Sequence, residues 1–265
     1  MDYRPDVYDI TTDANMRGDE PWYRAKAKAC GGPVLELGAG TGRITFGIAD
    51  DGGEIWALDA SRAMLDGLEG KLASRTDAVR RRVHVVQGDM RTFALEPRFA
   101  LIVIPYRAFL HNLTDADQLA CLRQVRRHLR PGGRLAFNVF HPSLEGMAKH
   151  AGPLTNVWRL GSTRPLVAGG CITESYAVSY DTPNRLIHAQ QRYDEWDPIG
   201  TLVRSTLSRL TLTYLFPADI RRLLAETGFS DVRIYGGFDE REFSKDGDEL
   251  VVEARAGTEA PTREG

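Results

Sequence analysis

Cysteine is scarce in this chain and scattered: there are three in 265 residues, Cys30, Cys121 and Cys171, with no C-x-x-C pair. That spacing argues against a disulfide framework and a cysteine-ligated zinc site and predicts reduced thiols, with no metal expected. Long apolar runs are missing too, since no stretch approaches the ~18 residues that span a bilayer. The segment from Met1 to Asp13 is acidic and broken by Pro5, unlike a secretory leader. A cytoplasmic chain without a membrane partner is expected. Neither sign of charge is in excess: Lys and Arg total 34 against 36 for Asp and Glu, a net charge of −2. No surplus of cations is left to neutralise a nucleic-acid backbone. Arg80-Arg81-Arg82 precede a strand, while Arg123, Arg126, Arg127 and Arg130 fall on the polar side of an amphipathic helix, so both groups read as solvated charge. What remains is a composition of 42% apolar and 26% charged residues, that of one large globular domain or one domain with an insertion.

Periodicity and punctuation order the chain. Pro33 to Leu37 is a short apolar run ending at glycines, which suits a buried strand feeding a tight turn, and a helix is predicted from Arg43 to Asp50. A second strand, Glu54 to Leu58, ends at Asp59, and Ser61 can cap a helix that carries Met64, Leu65 and Leu68. Val83 to Gln87 and Ala100 to Ile104 read as central parallel strands because neither alternates cleanly. Leu119, Leu122, Val125 and Leu129 share one helical face between Thr114 and Arg130, with Pro131-Gly132-Gly133 as the stop and Arg134 to Val139 as the next strand. Strand and helix alternate through residue 140, which indicates an α/β, doubly wound sheet. Between Cys171 and Phe216 the pattern changes to three strand-like stretches separated by Asp181-Thr182-Pro183-Asn184 and Asp197-Pro198-Ile199-Gly200, an antiparallel insert. A helix from Ala218 to Thr227 and two strands, Asp231 to Tyr235 and Glu249 to Ala254, are expected to return to the main sheet. The divisions predicted are 1–32, an N-terminal segment and first helix; 33–140 with 217–256, the α/β domain; and 141–216, the insert.

The strongest chemical signal is Val34-Leu35-Glu36-Leu37-Gly38-Ala39-Gly40-Thr41-Gly42-Arg43, a strand followed by glycines that let a ligand approach the backbone where a helix begins. A dinucleotide fingerprint would place its third glycine at position 43, which is arginine here, so the nicotinamide reading is weakened. Further landmarks follow: Asp59 ending the second strand, Gly88-Asp89-Met90 after the third, Ile104-Pro105-Tyr106 after the fourth, and Leu129-Arg130-Pro131-Gly132-Gly133 before the fifth. In this order the motifs, over residues ~34 to 140, resemble the class I S-adenosylmethionine-dependent methyltransferases. The layout with an insert after strand five is similar to the amino-sugar N-methyltransferases and the glycine N-methyltransferase group. The resemblance implies a Rossmann-like seven-stranded sheet with an antiparallel β insert after strand five, and S-adenosyl-L-methionine as the cofactor, leaving as S-adenosyl-L-homocysteine.

By that resemblance, residues 1–32 include a lid over the cofactor, Gly38 and Gly40 lie beside its methionine part, Asp59 holds both ribose hydroxyls, Asp89 reads the adenine amine, and Glu36 organises the loop. Ala39, Arg43, Ala60, Met64, Met90 and Ile104 complete the cofactor set, and Tyr8 in the lid offers an aromatic face to the sulfonium or the adenine. A carboxylate can accept two bonds from a vicinal diol, so the chemistry suits Asp59. Structural readings stand beside these: Asp59 as a helix cap, Asp89 in a surface turn, Ala60 and Met64 as plain core, and Tyr3, Tyr8, Trp22 and Tyr23 as staples on the first helix.

Methyl transfer is an in-line displacement, so aligning the acceptor and excluding water can supply most of the catalysis. An amine must arrive neutral and an alcohol must lose a proton, which gives a nearby base a use. His111 and His141 follow the fourth and fifth strands and are the candidate catalytic residues; with Tyr106 they form the candidate substrate-binding set. The expected function is methylation of a nitrogen or oxygen on a small-molecule acceptor. Two alternatives are a nicotinamide-dependent oxidoreductase and a non-catalytic cofactor-binding or oligomerisation module. Alternation from Thr201 to Leu215 sets Val203, Leu207 and Leu215 against Leu202, Leu210, Leu212 and Tyr214. Both faces of the insert therefore need cover; it is expected to roof the acceptor pocket, and a homodimer partner is one source of cover for its other side.

Overall fold

The computed structural model describes residues 4–12, 18–150, 158–244 and 249–257. Two helices open it, α1 (Pro5–Thr12) and α2 (Asp19–Cys30), followed by β1 (Val34–Leu37), α3 (Arg43–Asp50), β2 (Ile55–Asp59), α4 (Arg62–Ala73), the short α5 (Asp77–Arg80) and β3 (Val83–Gln87). Then come β4 (Phe99–Ile104), a 3-10 turn (Ala108–His111), α6 (Asp115–His128), β5 (Leu129–Phe140) and α7 (Leu144–His150). A second group of strands follows, β6 (Arg159–Pro165), β7 (Cys171–Asp181), β8 (Leu186–Trp196) and β9 (Leu202–Thr213), before α8 (Pro217–Glu226), β10 (Phe229–Tyr235) and β11 (Glu249–Ala256). Among the described residues no helix is long and apolar enough to cross a membrane.

The main sheet has seven strands in the order β3-β2-β1-β4-β5-β11-β10. Neighbours from β3 to β5 pair in parallel, whereas β11 runs antiparallel to both β5 and β10. Because β1 and β4 are covered on both faces, alternate residues feed two core layers. Leu35, Leu37, Ile102 and Ile104 join Leu122 and Val125 of α6 and Leu223 and Leu224 of α8 on one side. On the other, Val34, Leu101 and Val103 meet Trp22 and Tyr23 of α2 and Ile44 and Ile48 of α3. Each such side chain contributes about 1.5–3 kcal/mol on burial, and Val103→Asp, placing an unpaired carboxylate in this layer, would break it. Helix starts follow local chemistry: Ser61 Oγ accepts the Met64 N–H at 3.4 Å, and Thr114 Oγ1 accepts that of Asp117 at 3.1 Å.

The helix expected to run to Arg130 ends at His128, and β5 begins at Leu129, ahead of Pro131-Gly132-Gly133, rather than at Arg134. Phe99 pairs with Leu129 and Leu101 with Arg134, so the tripeptide bulges inside β5, with Gly132 at a φ of 73°. The antiparallel insert is a four-stranded sheet in the order β6-β7-β8-β9. Its tight turns are held as their sequences predict: Asp197 Oδ1 accepts the N–H of Ile199 at 3.1 Å and of Thr201 at 2.8 Å. The fourth strand, β6, was not expected from the sequence, since Arg-Leu-Gly-Ser-Thr-Arg-Pro is polar, mostly exposed and interrupted by glycine.

Candidate active site

Where β1 ends, residues 38–42 turn into α3. Gly38 and Gly40 sit at φ of 75° and 56°, the left-handed region that glycine adopts without strain. A Cβ on Gly38 would stand 2.7 Å from that of Ala108, and one on Gly40 would stand 3.3 Å from Met64 Cε and 3.7 Å from Tyr8 Cε1. Asp59, at the end of the adjacent β2, fixes this turn: Oδ2 accepts the Gly40 N–H and Oδ1 the Ser61 N–H, both at 2.8 Å. Burial pushes the Asp59 carboxyl above its ordinary range, while the backbone N–H groups pull it back. Asp59 is not the cap of α4, which is Ser61. Each oxygen that accepts one backbone N–H can accept again from the cavity beside it.

That cavity measures 890 Å³ and lies at the carboxyl ends of the central strands, where ligands bind in open α/β sheets. Ten residues singled out in the sequence meet there: Tyr8, Gly38, Gly40, Asp59, Ala60, Met64, Asp89, Met90, Tyr106 and His111. The second sheet closes the opposite side with Glu174, Gln191, Tyr193, Thr206, Ser208, Leu210 and Leu212. On its far side Val203 and Leu207 are exposed at 65% and 50%. Helix α1 bridges the two walls. Asp9 accepts from the Thr41 hydroxyl and pairs with Lys71 at 2.6 Å, while Arg4 reaches Glu195 at 3.0 Å and Thr206 at 3.2 Å. Between these ties the Tyr8 ring meets Tyr106 edge-on, with centroids 5.8 Å apart. Tyr23 and Trp22 are buried staples of α2, and Tyr3 lies outside the described residues.

Other side chains arrive already engaged. Asp89 is clasped by Arg91, which holds its carboxyl below the usual range and also pairs with Asp117 at 2.8 Å. Tyr106 and Arg107 both have positive φ, 53° and 63°, a rare pair for non-glycine residues. A polar chain running inward from the surface holds this bend: Arg107 pairs with Glu249 at 2.6 Å, Asn138 Nδ2 donates to Glu249 at 2.6 Å, and Tyr23 Oη donates to Asn138 at 2.8 Å. The sequence shows no motif for that chain, because its members come from α2, β5, β11 and the β4 loop. His111 ends the 3-10 turn, and burial lowers its pKa, so its ring is neutral at pH 7.

Five expected site residues do not line the cavity. Glu36 lies beneath the loop, 2% exposed, accepting the Thr45 hydroxyl, with burial pushing its pKa up to about 8. Arg43 forms a bidentate pair with Asp19, at 2.8 Å and 2.5 Å, and faces a shallower cleft. Ala39 and Ile104 belong to the core. His141 is 7% exposed and packs against Phe216 and Phe243, with ring centroids 5.5 Å and 5.0 Å away. His141 follows β5 at the same end of the sheet, but its ring packs between Phe216 and Phe243 and does not line the cavity.

Residues 34–133 match a family model described as a methyltransferase domain. Over 122 residues the chain is 34% identical to the cypemycin N-terminal methyltransferase of a Streptomyces species, covering 46% of this chain and 47% of that protein. The chain spans about half the length of the curated relatives it matches. Among solved structures, the CcbJ methyltransferase of Streptomyces caelestis superposes with a TM-score of 0.77 at 27% identity, over 96% of each chain. The amino pentose methyltransferase CalS10 of Micromonospora echinaspora, solved with S-adenosylmethionine bound, shares the fold with a TM-score of 0.71 at 17% identity, over 96% of each chain.

Proposed function

We propose that this chain, which carries a methyltransferase domain, uses S-adenosylmethionine to methylate a nitrogen or oxygen of a small-molecule acceptor, as a relative of the natural-product N-methyltransferases. One observation carries the proposal: a single cavity joins the glycine turn and Asp59 to the polar and apolar wall of the second sheet. Its 890 Å³ is near the upper end of the ~300–1,000 Å³ usual for ligand sites, which suits a cofactor and an acceptor together.

The residues present fit S-adenosylmethionine. A Cβ at Gly38 or Gly40 would fill the cradle, and the Asp59 oxygens keep acceptor capacity for a ribose diol. When bound, the cofactor supplies an activated methyl group. The chain's own part is alignment and exclusion of water: α1 and the second sheet close over the space, and Tyr8 and Tyr106, which meet edge-on, line it. Ala60, Met64 and Met90 pack beside the nucleoside region, and Asp89 with Arg91 borders it. His111, kept neutral by burial, accepts the proton that an amine or alcohol sheds. Glu36 and Arg43 act through the loop, from beneath it and beside it, and His141 supports the end of β5.

The test is incubation of the full chain with methyl-labelled S-adenosylmethionine and a fractionated small-molecule extract. Label is expected in a small molecule, with stoichiometric S-adenosylhomocysteine. Label confined to protein or nucleic acid would overturn the proposal.

A further inference from the structure

The wall that the second sheet turns to the cavity is graded, and strand register sets the grading. Across β7, β8 and β9 one row reads Glu174, Tyr193, Thr206 and the next Tyr176, Gln191, Ser208. Two rows on, Ala189 stands with Leu210 and then Ile187 with Leu212. One end of the wall is therefore polar and anionic and lies under α1, since Arg4 bonds Thr206 there. The other end is apolar and packs against the 3-10 turn that carries His111.

Glu174 stands out at the polar end. It is 8% exposed, and its carboxylate accepts from Ser162 Oγ at 3.2 Å and Gln191 Nε2 at 3.3 Å. Both donors are neutral. The three arginines bordering the cavity are committed elsewhere: Arg4 to Asp6 and Glu195, Arg91 to Asp89 and Asp117, and Arg107 to Glu249. A largely buried carboxylate that lines a cavity and receives only neutral donors favours a cation brought by a ligand, whereas a second anion there would be repelled.

We propose that Glu174 determines acceptor specificity by binding a cationic amine of the methyl acceptor, whose apolar part lies along Leu210 and Leu212. The acceptor class is then an amphiphilic small-molecule amine, and acceptors whose only charge is a carboxylate or phosphate are excluded. This rests on the methyl-transfer reading above.

The experiment uses the full chain saturated with S-adenosylhomocysteine, titrated separately with cyclohexylmethylammonium and with cyclohexanecarboxylate and followed by ligand-observed NMR. Wild type is expected to bind the ammonium probe at least tenfold more tightly than the carboxylate. Glu174→Gln should lose that preference at unchanged S-adenosylhomocysteine affinity, and Glu174→Asp, which keeps the charge, should retain it. Equal binding of the two probes by wild type, binding of neither, or a preference that survives in Glu174→Gln or disappears in Glu174→Asp overturns the proposal. Failure of wild type to bind S-adenosylhomocysteine would instead count against the methyl-transfer reading itself.

Discussion

Glu36 offers a test of the site's electrostatics that needs no substrate. Its carboxyl lies beneath the glycine turn, 2% exposed, and burial pushes its pKa up to about 8 against the pull of Thr45 and Arg43. Asp59 and Asp19 add to the rise. An unfolded glutamate loses its proton near pH ~4.3, whereas the folded chain keeps this one to about pH 8. The folded pKa is raised, so the stabilisation is full below the unfolded value and is lost as pH climbs through the folded value. Each pH unit in that window costs about 1.4 kcal/mol. Between pH 5.5 and the upper pKa lie about 2.5 units, hence about 3 kcal/mol. Glu36→Gln keeps the shape, still accepts from Thr45 and does not titrate. Urea unfolding of the cofactor-free chain at pH 5.5, 7 and 9 should show the variant gaining on wild type by about 3 kcal/mol across the range at constant m. A flat difference would mean that Glu36 ionises normally and that the loop rests on a charged, not a neutral, carboxyl.

Asp59→Ala should weaken S-adenosylhomocysteine binding by ~2–4 kcal/mol, the range for a pair of charge-assisted bonds; unchanged calorimetric affinity in a folded variant would remove Asp59 from the ribose site. Gly40→Val sets a β-branched residue at a φ of 56° against Met64, so binding should vanish while circular dichroism stays native; retained binding would put the cofactor elsewhere. His111→Ala should lower turnover ~10²-fold or more at neutral pH with little change in cofactor affinity. Because burial lowers the His111 pKa, wild-type turnover should rise with pH along a limb below the ordinary histidine value near ~6.5 and then level off; the same limb in His111→Ala would exclude that ring as the base.

The parallel strands were legible because the first two are buried runs stopped by a glycine or an aspartate, at Leu37-Gly38 and Leu58-Asp59, and β4 is a buried run stopped by Pro105. Local signals such as Ser61 and Asp197 also held, since a cap or an Asx turn needs only its nearest neighbours. The start of β5 was placed late, at Arg134, because the pairing of Phe99 in β4 with Leu129 draws the strand back across Pro131-Gly132-Gly133. Partners distant in sequence left no local trace: Asp19 for Arg43, Glu249 for Arg107, and the row that sets Glu174 beside Tyr193 and Thr206. The alternation of β9 did show which leucines share a face, and Leu210 and Leu212 do face the cavity. What it did not show was that the polar residues of the same stripe, Thr206 and Ser208, would line the cavity with them.

The central claim, that the cavity bounded by Gly38, Gly40 and Asp59 is an S-adenosylmethionine site, is tested most directly by calorimetric titration of the full chain with S-adenosylhomocysteine and, separately, with NAD. Saturable binding of one S-adenosylhomocysteine per chain, with no heat from NAD, is the predicted result. Binding of NAD without S-adenosylhomocysteine would contradict it.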